Sequence, residues 1–338
     1  MSQKILKNIL TTLQEAIVKS GKTVWLLFKV MFPIAVIIRI FQLLGWMPYV
    51  GDILAPLMQL MGLPGEMGIV WATSMLVNIY GGIFAYVTLL PDLAQPMTIA
   101  QITILSTIIL LAHTFPAELT VANRCGVRWW FAFAIRFFPA LLSGILLNAI
   151  YRWGNFLTEP AEVIINLQMQ NSTWGLWMFS QLKSFALIFL IIFLMVILLK
   201  ILDRLKILDF INRLLHPLVK FLGISPNAIP SVVVGLTMGL AYGGGLIIAE
   251  AEERQLTSHD LLYSIVLLSL CHSIIEDTLL MFSCGAHYSG IVIFRILFAL
   301  VLCRIFILIT QKTGIKPLVV SKKRKIFPKS NPTYHFLM

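Results

Sequence analysis

The chain has 338 residues, of which 59% are hydrophobic and only 12% are charged. About a quarter of the residues in soluble domains are charged, so this composition excludes an ordinary soluble protein and indicates a membrane protein. The formal net charge of +11 is compatible with binding to nucleic acid. However, the basic residues flank apolar segments, where positive-inside topology and contact with anionic lipid account for them. We expect membrane lipid and a small solute or ion as partners, and no nucleic acid; self-association into a homo-oligomer stays open.

Eight apolar stretches follow one another along the chain. Several reach the roughly 20 residues that cross a bilayer core of about 30 Å. The stretches cover residues 24–44, 67–90, 99–112, 131–150, 185–202, 229–249, 261–280 and 291–309. The sequence therefore predicts an all-α polytopic membrane protein.

Positive charges are unevenly distributed among the segments that flank these stretches. Residues 1–23, 200–220 and 312–338 are rich in Lys and Arg, whereas residues 154–182 contain two glutamates and no basic residue. The positive-inside rule places the basic segments in the cytoplasm and the acidic linker outside. We therefore expect a multi-pass protein of the inner (cytoplasmic) membrane with both termini in the cytoplasm.

The second half of the chain repeats the first. His113 matches His272 and Arg136 matches Arg295 at a displacement of 159 residues, and Tyr80 matches Tyr242 at 162. Because the linker lies outside and both termini lie inside, each repeat crosses the membrane an odd number of times, and the second repeat is inverted. The predicted domains are a cytoplasmic amphipathic N-terminus (1–23), membrane repeat 1 (24–153), an extracytoplasmic linker (154–182), membrane repeat 2 (183–311) and a basic cytoplasmic tail (312–338).

Four apolar stretches per repeat, with an odd number of crossings, predict one broken or re-entrant segment in each repeat. The best candidates are the Tyr-Gly-Gly elements, because glycine adopts positive φ without steric cost and freed backbone groups can bind solute. The elements are Asn78-Ile-Tyr80-Gly81-Gly82 in repeat 1 and Gly239-Leu-Ala-Tyr242-Gly243-Gly244-Gly245 in repeat 2. The alternative is close helix packing, since Gly235, Gly239 and Gly243 form a stripe of small residues. The stretches that contain the histidines are the next candidates.

Ionisable residues recur at matching places inside the apolar sequence. His113 and Glu118 in repeat 1 correspond to His272, Glu276 and Asp277 in repeat 2. Burying a carboxylate or an imidazole at membrane depth is costly unless it is paired or hydrated, so these residues are functional candidates. Inversion would bring the two groups together near the midplane, as one substrate or ion pathway.

Two chemical roles and one structural role fit this group. Imidazoles and carboxylates suit either a transition-metal ion or a proton relay. The candidate metal ligands are His113, His272, Glu276 and Asp277. In the structural alternative, the acids pair with Arg136 and Arg295, which occupy matched positions.

Five short motifs carry a resemblance to a known family. They are Gly62-Leu-Pro-Gly65, Val77-Asn-Ile-Tyr-Gly81, Leu222-Gly-Ile-Ser-Pro226, Gly239-Leu-Ala-Tyr-Gly243 and His272-Ser-Ile-Ile-Glu-Asp277. The chain resembles the nucleoside-recognition, or Gate, domain family of membrane proteins over roughly residues 20–310. That family is related to spore maturation membrane proteins, to concentrative nucleoside transporters and to the gate region of the ferrous-iron transport GTPase. The resemblance implies a transport-like role and leaves the cargo open.

The leading functional hypothesis is a secondary transporter or permease for a small polar solute, either a nucleoside or a divalent metal cation. The alternative is a non-transporting Gate-fold membrane scaffold or assembly protein. A membrane-embedded enzyme ranks last, because the sequence shows no convincing nucleophile constellation. No phosphate-binding GxxxxGK[ST] motif occurs in the sequence. We therefore expect no ATP- or GTP-hydrolysing site in this chain, and no cofactor.

Overall fold

The computed structural model describes residues 36–90, 95–161, 174–253 and 256–313, with isolated positions elsewhere. Most of the predicted N-terminus (1–23), part of the linker (162–173) and nearly all of the predicted tail (312–338) lie outside the described residues.

The described residues form helices in both halves of the chain. In the first half these are α1 (Met47–Leu60), α2 (Met67–Leu76), α3 (Ile79–Leu89), α4 (Ile99–Leu111), α5 (Phe115–Arg124) and α6 (Trp129–Gly154). In the second half they are α7 (Trp174–Arg204), α8 (Ile207–Phe221), α9 (Ile229–Met238), α10 (Leu240–Glu253), α11 (Ser258–Leu270), α12 (Glu276–Ser283) and α13 (Ser289–Thr313), which begins with a π-helical turn.

Within the part of the chain that the structure describes, three segments are long and apolar enough to cross a membrane, judged by length and composition. They are Ile99–Arg124, Trp129–Gly154 and Ser289–Thr313. The prediction of an all-α polytopic membrane protein is confirmed for the described part of the chain. The division into domains and the inverted orientation of repeat 2 stay predictions.

The two halves repeat their local structure at the predicted displacement of 159 residues. Thr98 and Thr257 both cap the following helix in a capping box, in which the threonine side chain accepts from a backbone amide three residues on. Gly126 and Gly285 both adopt positive φ, of 89° and 93°. Such agreement at positions with special backbone geometry indicates that the sequence repeat is also a structural repeat.

One pair of consecutive helices in each half folds back on itself. A Cβ atom added to Gly82 would lie 2.6 Å from the Cβ of Ser74, and one added to Gly243 would lie 2.4 Å from the Cα of Gly235. In a continuous helix, residues eight apart are separated by about 12 Å. Therefore α2 and α3 form one helical hairpin, and α9 and α10 form another.

The predicted breaks are present, and they lie at the first residue of each predicted element, ahead of its tyrosine and glycines. In the first hairpin the chain turns at Asn78, whose backbone is extended and whose side chain accepts from the Gly81 amide. In the second hairpin the chain turns at Gly239, with φ of 105°. The glycines that follow each turn lie in the first turn of the next helix, where they allow the close approach of the hairpin arms. The helix break and the close helix packing, which the sequence offered as alternatives, are therefore both present.

A second interruption occurs in each half, where the sequence predicted only one. The segment Ile99–Arg124 is broken between α4 and α5 at Thr114, with φ of 52°, and α11 and α12 are separated by a break containing Ser273, with φ of 50°. These two residues are 159 positions apart. Each half thus combines a hairpin with an interrupted helix.

The hairpins satisfy backbone groups that the interrupted helices expose. The Thr114 amide donates to the carbonyl of Ser74 in α2 at 2.8 Å, and the Ile274 amide donates to the carbonyl of Leu236 in α9 at 2.8 Å. A buried amide without a partner would be costly. The hairpin and the interrupted helix of each half therefore stabilise one another at the break.

Alanine substitutions in α10 should distinguish a glycine that is required for close packing from one that has open space beside it. Gly243→Ala places a methyl group against backbone 2.4 Å away, which should lower the free energy of unfolding by about 1–3 kcal/mol. Gly245 has nothing within 4 Å of an added Cβ, so Gly245→Ala should raise that free energy by up to about 1 kcal/mol through helix propensity. Unfolding in detergent, followed by circular dichroism, measures both; equal effects would contradict the hairpin packing.

Candidate functional site

The two interrupted helices bring His113 and His272 together. His113 lies in the break between α4 and α5, and His272 lies in the break between α11 and α12. Their ring centroids are 5.1 Å apart, and the two residues are 3% and 1% exposed. Residues from opposite halves of the chain therefore form one buried group.

Both imidazoles are held in the same way by their own helices. The Nδ1 atom of His113 lies 2.8 Å from the carbonyl oxygen of Ile109, and that of His272 lies 2.7 Å from the carbonyl oxygen of Leu268. Each carbonyl belongs to the residue four positions earlier, at the last helical turn before the break. The other ring nitrogen, Nε2, is thereby directed toward the opposite half.

Glu118 lies between the two imidazoles in the first turn of α5. One of its oxygens, Oε1, is 3.5 Å from His113 Nε2 and 3.3 Å from His272 Nε2. The other, Oε2, forms a buried ion pair with Arg136 on α6. Arg136 also donates from Nε to the carbonyl of Leu111, at the end of α4, at 3.1 Å. The guanidinium thus joins the two arms of the interrupted helix and fixes the orientation of the Glu118 carboxylate.

Asp277 completes the group from the first turn of α12. Its Oδ2 atom lies 3.6 Å from His113 Nε2, and the residue is 7% exposed. Glu276, one position earlier, faces a different partner, because the Tyr80 hydroxyl of α3 donates to its Oε1 at 2.9 Å. This hydrogen bond joins the first-half hairpin to the interrupted helix of the second half. We call Glu118, Asp277, His113 and His272 the histidine–carboxylate cluster.

The two arginines at matched positions make different contacts. Arg136 forms the structural ion pair with Glu118 that the sequence offered as an alternative. Arg295, 1% exposed, donates from Nη2 to the carbonyl of His272 instead. Its Nε and Nη1 atoms have no hydrogen-bond partner among the described residues. The cluster and the ion pair therefore coexist, rather than excluding each other.

The glycine elements lie beside the cluster and position it by packing. The Gly81 amide is occupied by the Asn78 side chain at 2.8 Å. A Cβ atom on Gly244 would lie 2.3 Å from the Cγ1 atom of Val121, and the Cys125 thiol donates to the Gly244 carbonyl at 3.6 Å. The second hairpin thus packs closely on α5 of the first half. The side chain of Tyr242 lies outside the described residues, and solute binding by these elements stays a prediction.

Three buried side chains could hold a metal ion together. His113, His272 and Asp277 each offer one ligand atom, and these atoms all lie within 4.8 Å of one another. Glu276, which the sequence included in the ligand set, is not in this group. The displacement of 159 residues between the repeats pairs Glu118 with Asp277 rather than with Glu276. Applying this displacement strictly could have identified Glu118 and Asp277 as the two acids that approach the histidines.

Comparison with known proteins agrees with this architecture. The family model described as Gate, nucleoside recognition, matches residues 24–123 and 185–288, the segments that contain both hairpins and both histidines. The chain is also similar to the uncharacterized membrane protein YvoD of Bacillus subtilis (strain 168), with 27% identity over 284 residues that cover 83% of this chain and 89% of the relative. No solved structure matches the chain. Since the family model covers more than half of its residues, this chain belongs to the Gate (nucleoside recognition) family of membrane proteins.

Proposed function

We propose that this chain is a secondary transporter, with no enzymatic activity, that moves a small polar solute across the inner membrane, and that this solute is a cation. The observation that carries the proposal is the histidine–carboxylate cluster, in which side chains from both halves meet at helix interruptions. A membrane protein pays a high desolvation cost for buried ionisable groups, and such groups commonly mark ion or substrate pathways. A protein that served only as a scaffold would gain nothing from placing them together.

The position of His113 along its helix supports a site at mid-depth. The segment Ile99–Arg124 has 26 residues, and His113 lies near its middle. If this segment spans the bilayer, the cluster lies near the midplane. Substrate sites of transporters with duplicated folds lie at this depth, where interrupted helices of the two repeats meet.

Exposed apolar side chains on the long helices support lipid as the surrounding partner. Phe138 and Leu142 on α6 are 60% and 43% exposed, and their counterparts 159 residues later on α13, Leu297 and Val301, are 58% and 56% exposed. Each pair is spaced by four residues and so forms a stripe along its helix. We propose that these matched stripes face lipid, with both chain termini in the cytoplasm.

The contacts between the halves suggest how access to the site could alternate. The Tyr80–Glu276 hydrogen bond and the packing of Gly244 on Val121 join a hairpin of one half to the interrupted helix of the other. In the proposed mechanism, each hairpin opens one side of the cluster while the other keeps its contacts. The carboxylates attract the cation, and the imidazoles either ligate it or carry a coupling proton.

Uptake by purified protein reconstituted into liposomes tests the proposal. Proteoliposomes and protein-free liposomes would be compared for entry of protons, of Co²⁺ or Zn²⁺, and of a radiolabelled nucleoside. We expect cation entry that requires the protein. Entry of the nucleoside without any cation would contradict the choice of cargo, and entry of none of them would favour the non-transporting scaffold.

A further inference from the structure

The histidine–carboxylate cluster presents four hydrogen-bond acceptors to one another. The atoms that face inward are Nε2 of His113 and of His272, Oε1 of Glu118 and Oδ2 of Asp277. Glu118 Oε1 lies 3.3 Å from His272 Nε2 and 3.5 Å from His113 Nε2, and Asp277 Oδ2 lies 3.6 Å from His113 Nε2. All four residues are buried. What lies between them therefore decides whether this arrangement is stable.

The tautomers of the two histidines follow from their backbone contacts. A carbonyl oxygen can only accept, so each Nδ1, at 2.7–2.8 Å from such an oxygen, carries a proton, and in the neutral imidazole this is the only ring proton. Each Nε2 then presents a lone pair. This is the usual arrangement of metal-binding histidines, whose second nitrogen donates to a backbone carbonyl or a carboxylate.

Two of the inward-facing atoms lack any hydrogen-bond partner within the described part of the chain. They are His272 Nε2 and Asp277 Oδ2. Buried polar atoms are nearly always satisfied, and an exception calls for an explanation such as an ion. Lone pairs that face carboxylate oxygens at 3.3–3.6 Å are unfavourable until a cation lies between them.

From this geometry we infer that the cluster binds a divalent transition-metal ion through His113, His272 and Asp277, whose ligand atoms all lie within 4.8 Å of one another, and that this ion is the cargo. The cargo assignment rests on the proposed function. A tetrahedral ion with bond lengths of about 2.0–2.2 Å holds its ligand atoms about 3.3–3.6 Å apart. Of the three proposed ligands, His113 Nε2 and Asp277 Oδ2 lie 3.6 Å apart, at the upper end of that range. Glu118 Oε1, 3.3 and 3.5 Å from the two Nε2 atoms, contributes its negative charge beside the ion. Alkali and alkaline-earth ions prefer oxygen ligands, whereas imidazole suits Zn²⁺, Fe²⁺ and Ni²⁺.

The charges around the cluster are compatible with such an ion. Glu118, Glu276 and Asp277 contribute three negative charges, and Arg136 and Arg295 contribute two positive charges. With neutral imidazoles the net charge is one negative, and a divalent ion changes its sign without increasing its magnitude. Arg136 occupies only Oε2 of Glu118, so Oε1 keeps facing the two imidazoles.

Titration of the purified full-length protein in detergent with Co²⁺ tests the inference. A tetrahedral Co²⁺ site with nitrogen and oxygen ligands absorbs visible light strongly, and Zn²⁺ should displace the ion and abolish that absorption. Zn²⁺ should also raise the unfolding midpoint of the wild-type protein, because a ligand that binds only the folded state stabilises it. This second readout requires no variant.

Variants then assign the ligands. Asp277→Asn and His272→Gln should each weaken Co²⁺ binding by at least about 100-fold, since changes even in the outer shell of metal sites cost about 10–100-fold. Glu276→Gln removes the same charge as Asp277→Asn at the adjacent residue, but its carboxylate bonds Tyr80, so its effect should be at least about tenfold smaller. Asp52→Asn, on the exposed face of α1, is the charge control and should leave binding unchanged.

The outcomes separate this inference from the proposed function. Failure of the wild-type protein to bind Co²⁺ and Zn²⁺, or equal binding by Asp277→Asn and wild type, would overturn the metal site even if proteoliposomes move protons. Tight metal binding without any uptake would overturn the cargo assignment and the proposed function, while leaving the metal site in place. Glu276→Gln as damaging as Asp277→Asn would overturn the assignment of the ligands.

Discussion

Replacing Arg136 by methionine should lower the free energy of unfolding by about 3–5 kcal/mol, because it leaves the Glu118 carboxylate buried without its charged partner. Arg136 is 1% exposed and Glu118 is 8% exposed, so water cannot take the place of the guanidinium. The substitution also removes the hydrogen bond from Arg136 to the Leu111 carbonyl. Chemical or thermal unfolding in detergent measures the loss. The control is Arg152→Met on the exposed face of the same helix, for which we expect a change within about 0.5 kcal/mol.

The partner substitution distinguishes an ion pair from simple loss of packing. In Glu118→Gln/Arg136→Met neither charge is present, so the double variant should regain most of the stability that Arg136→Met alone loses. A double variant that loses the sum of the two single effects would show that the residues act independently. It would also remove the argument that Arg136 orients Glu118 toward the histidines.

The meeting of the two histidines could be predicted from the sequence, because matched ionisable residues in a duplicated membrane protein share a physical constraint. Separate burial of His113 with its acid and of His272 with its acids would incur two desolvation costs. A common site near the axis between the repeats reduces both. The 5.1 Å separation of the two rings agrees with that reasoning, whereas the role of the cluster in transport still needs the experiments above.

The second interruption in each half could be predicted only in part from residue types, because the sequence named the histidine-containing stretches as the next candidates for a break but did not single out Thr114 and Ser273. Thr114 and Ser273 adopt positive φ, yet neither is a glycine or an asparagine, the residues that usually mark such a conformation. Their geometry depends on tertiary contacts, because the hairpin carbonyls of Ser74 and Leu236 bind the amides exposed at the breaks. Without knowledge of these contacts, an apolar segment of 26 residues would be predicted as one continuous helix.

The two hairpin turns differ in their local geometry. One turn uses the extended backbone of Asn78 with a side-chain cap, and the other uses the positive φ of Gly239. The two turns therefore use different backbone conformations at equivalent positions of the two repeats. The sequence marked the glycines that follow, since Gly82 and Gly243 are needed for close packing of the hairpin arms. The predicted elements, residues 78–82 and 239–245, therefore begin at the observed turns.

Loss of either cluster histidine should stop uptake completely, because each half of the chain supplies one imidazole to a single site. Glutamine is the suitable replacement in His113→Gln and His272→Gln, since its amide can still donate to the helix carbonyl that now holds Nδ1. Residues that act as one unit are not additive. The double variant should therefore show the same residual uptake as either single variant.

The initial rate of cation uptake into proteoliposomes, measured side by side for wild type, His113→Gln, His272→Gln and the double variant, tests the shared site most directly. His287→Gln is the control, because this histidine bonds Ser289 at 2.9 Å in the connection to α13 and lies outside the cluster. We predict that both single variants fall to the rate of protein-free liposomes, while His287→Gln transports like wild type. Wild-type uptake by either His113→Gln or His272→Gln would show that the two halves do not share one transport site.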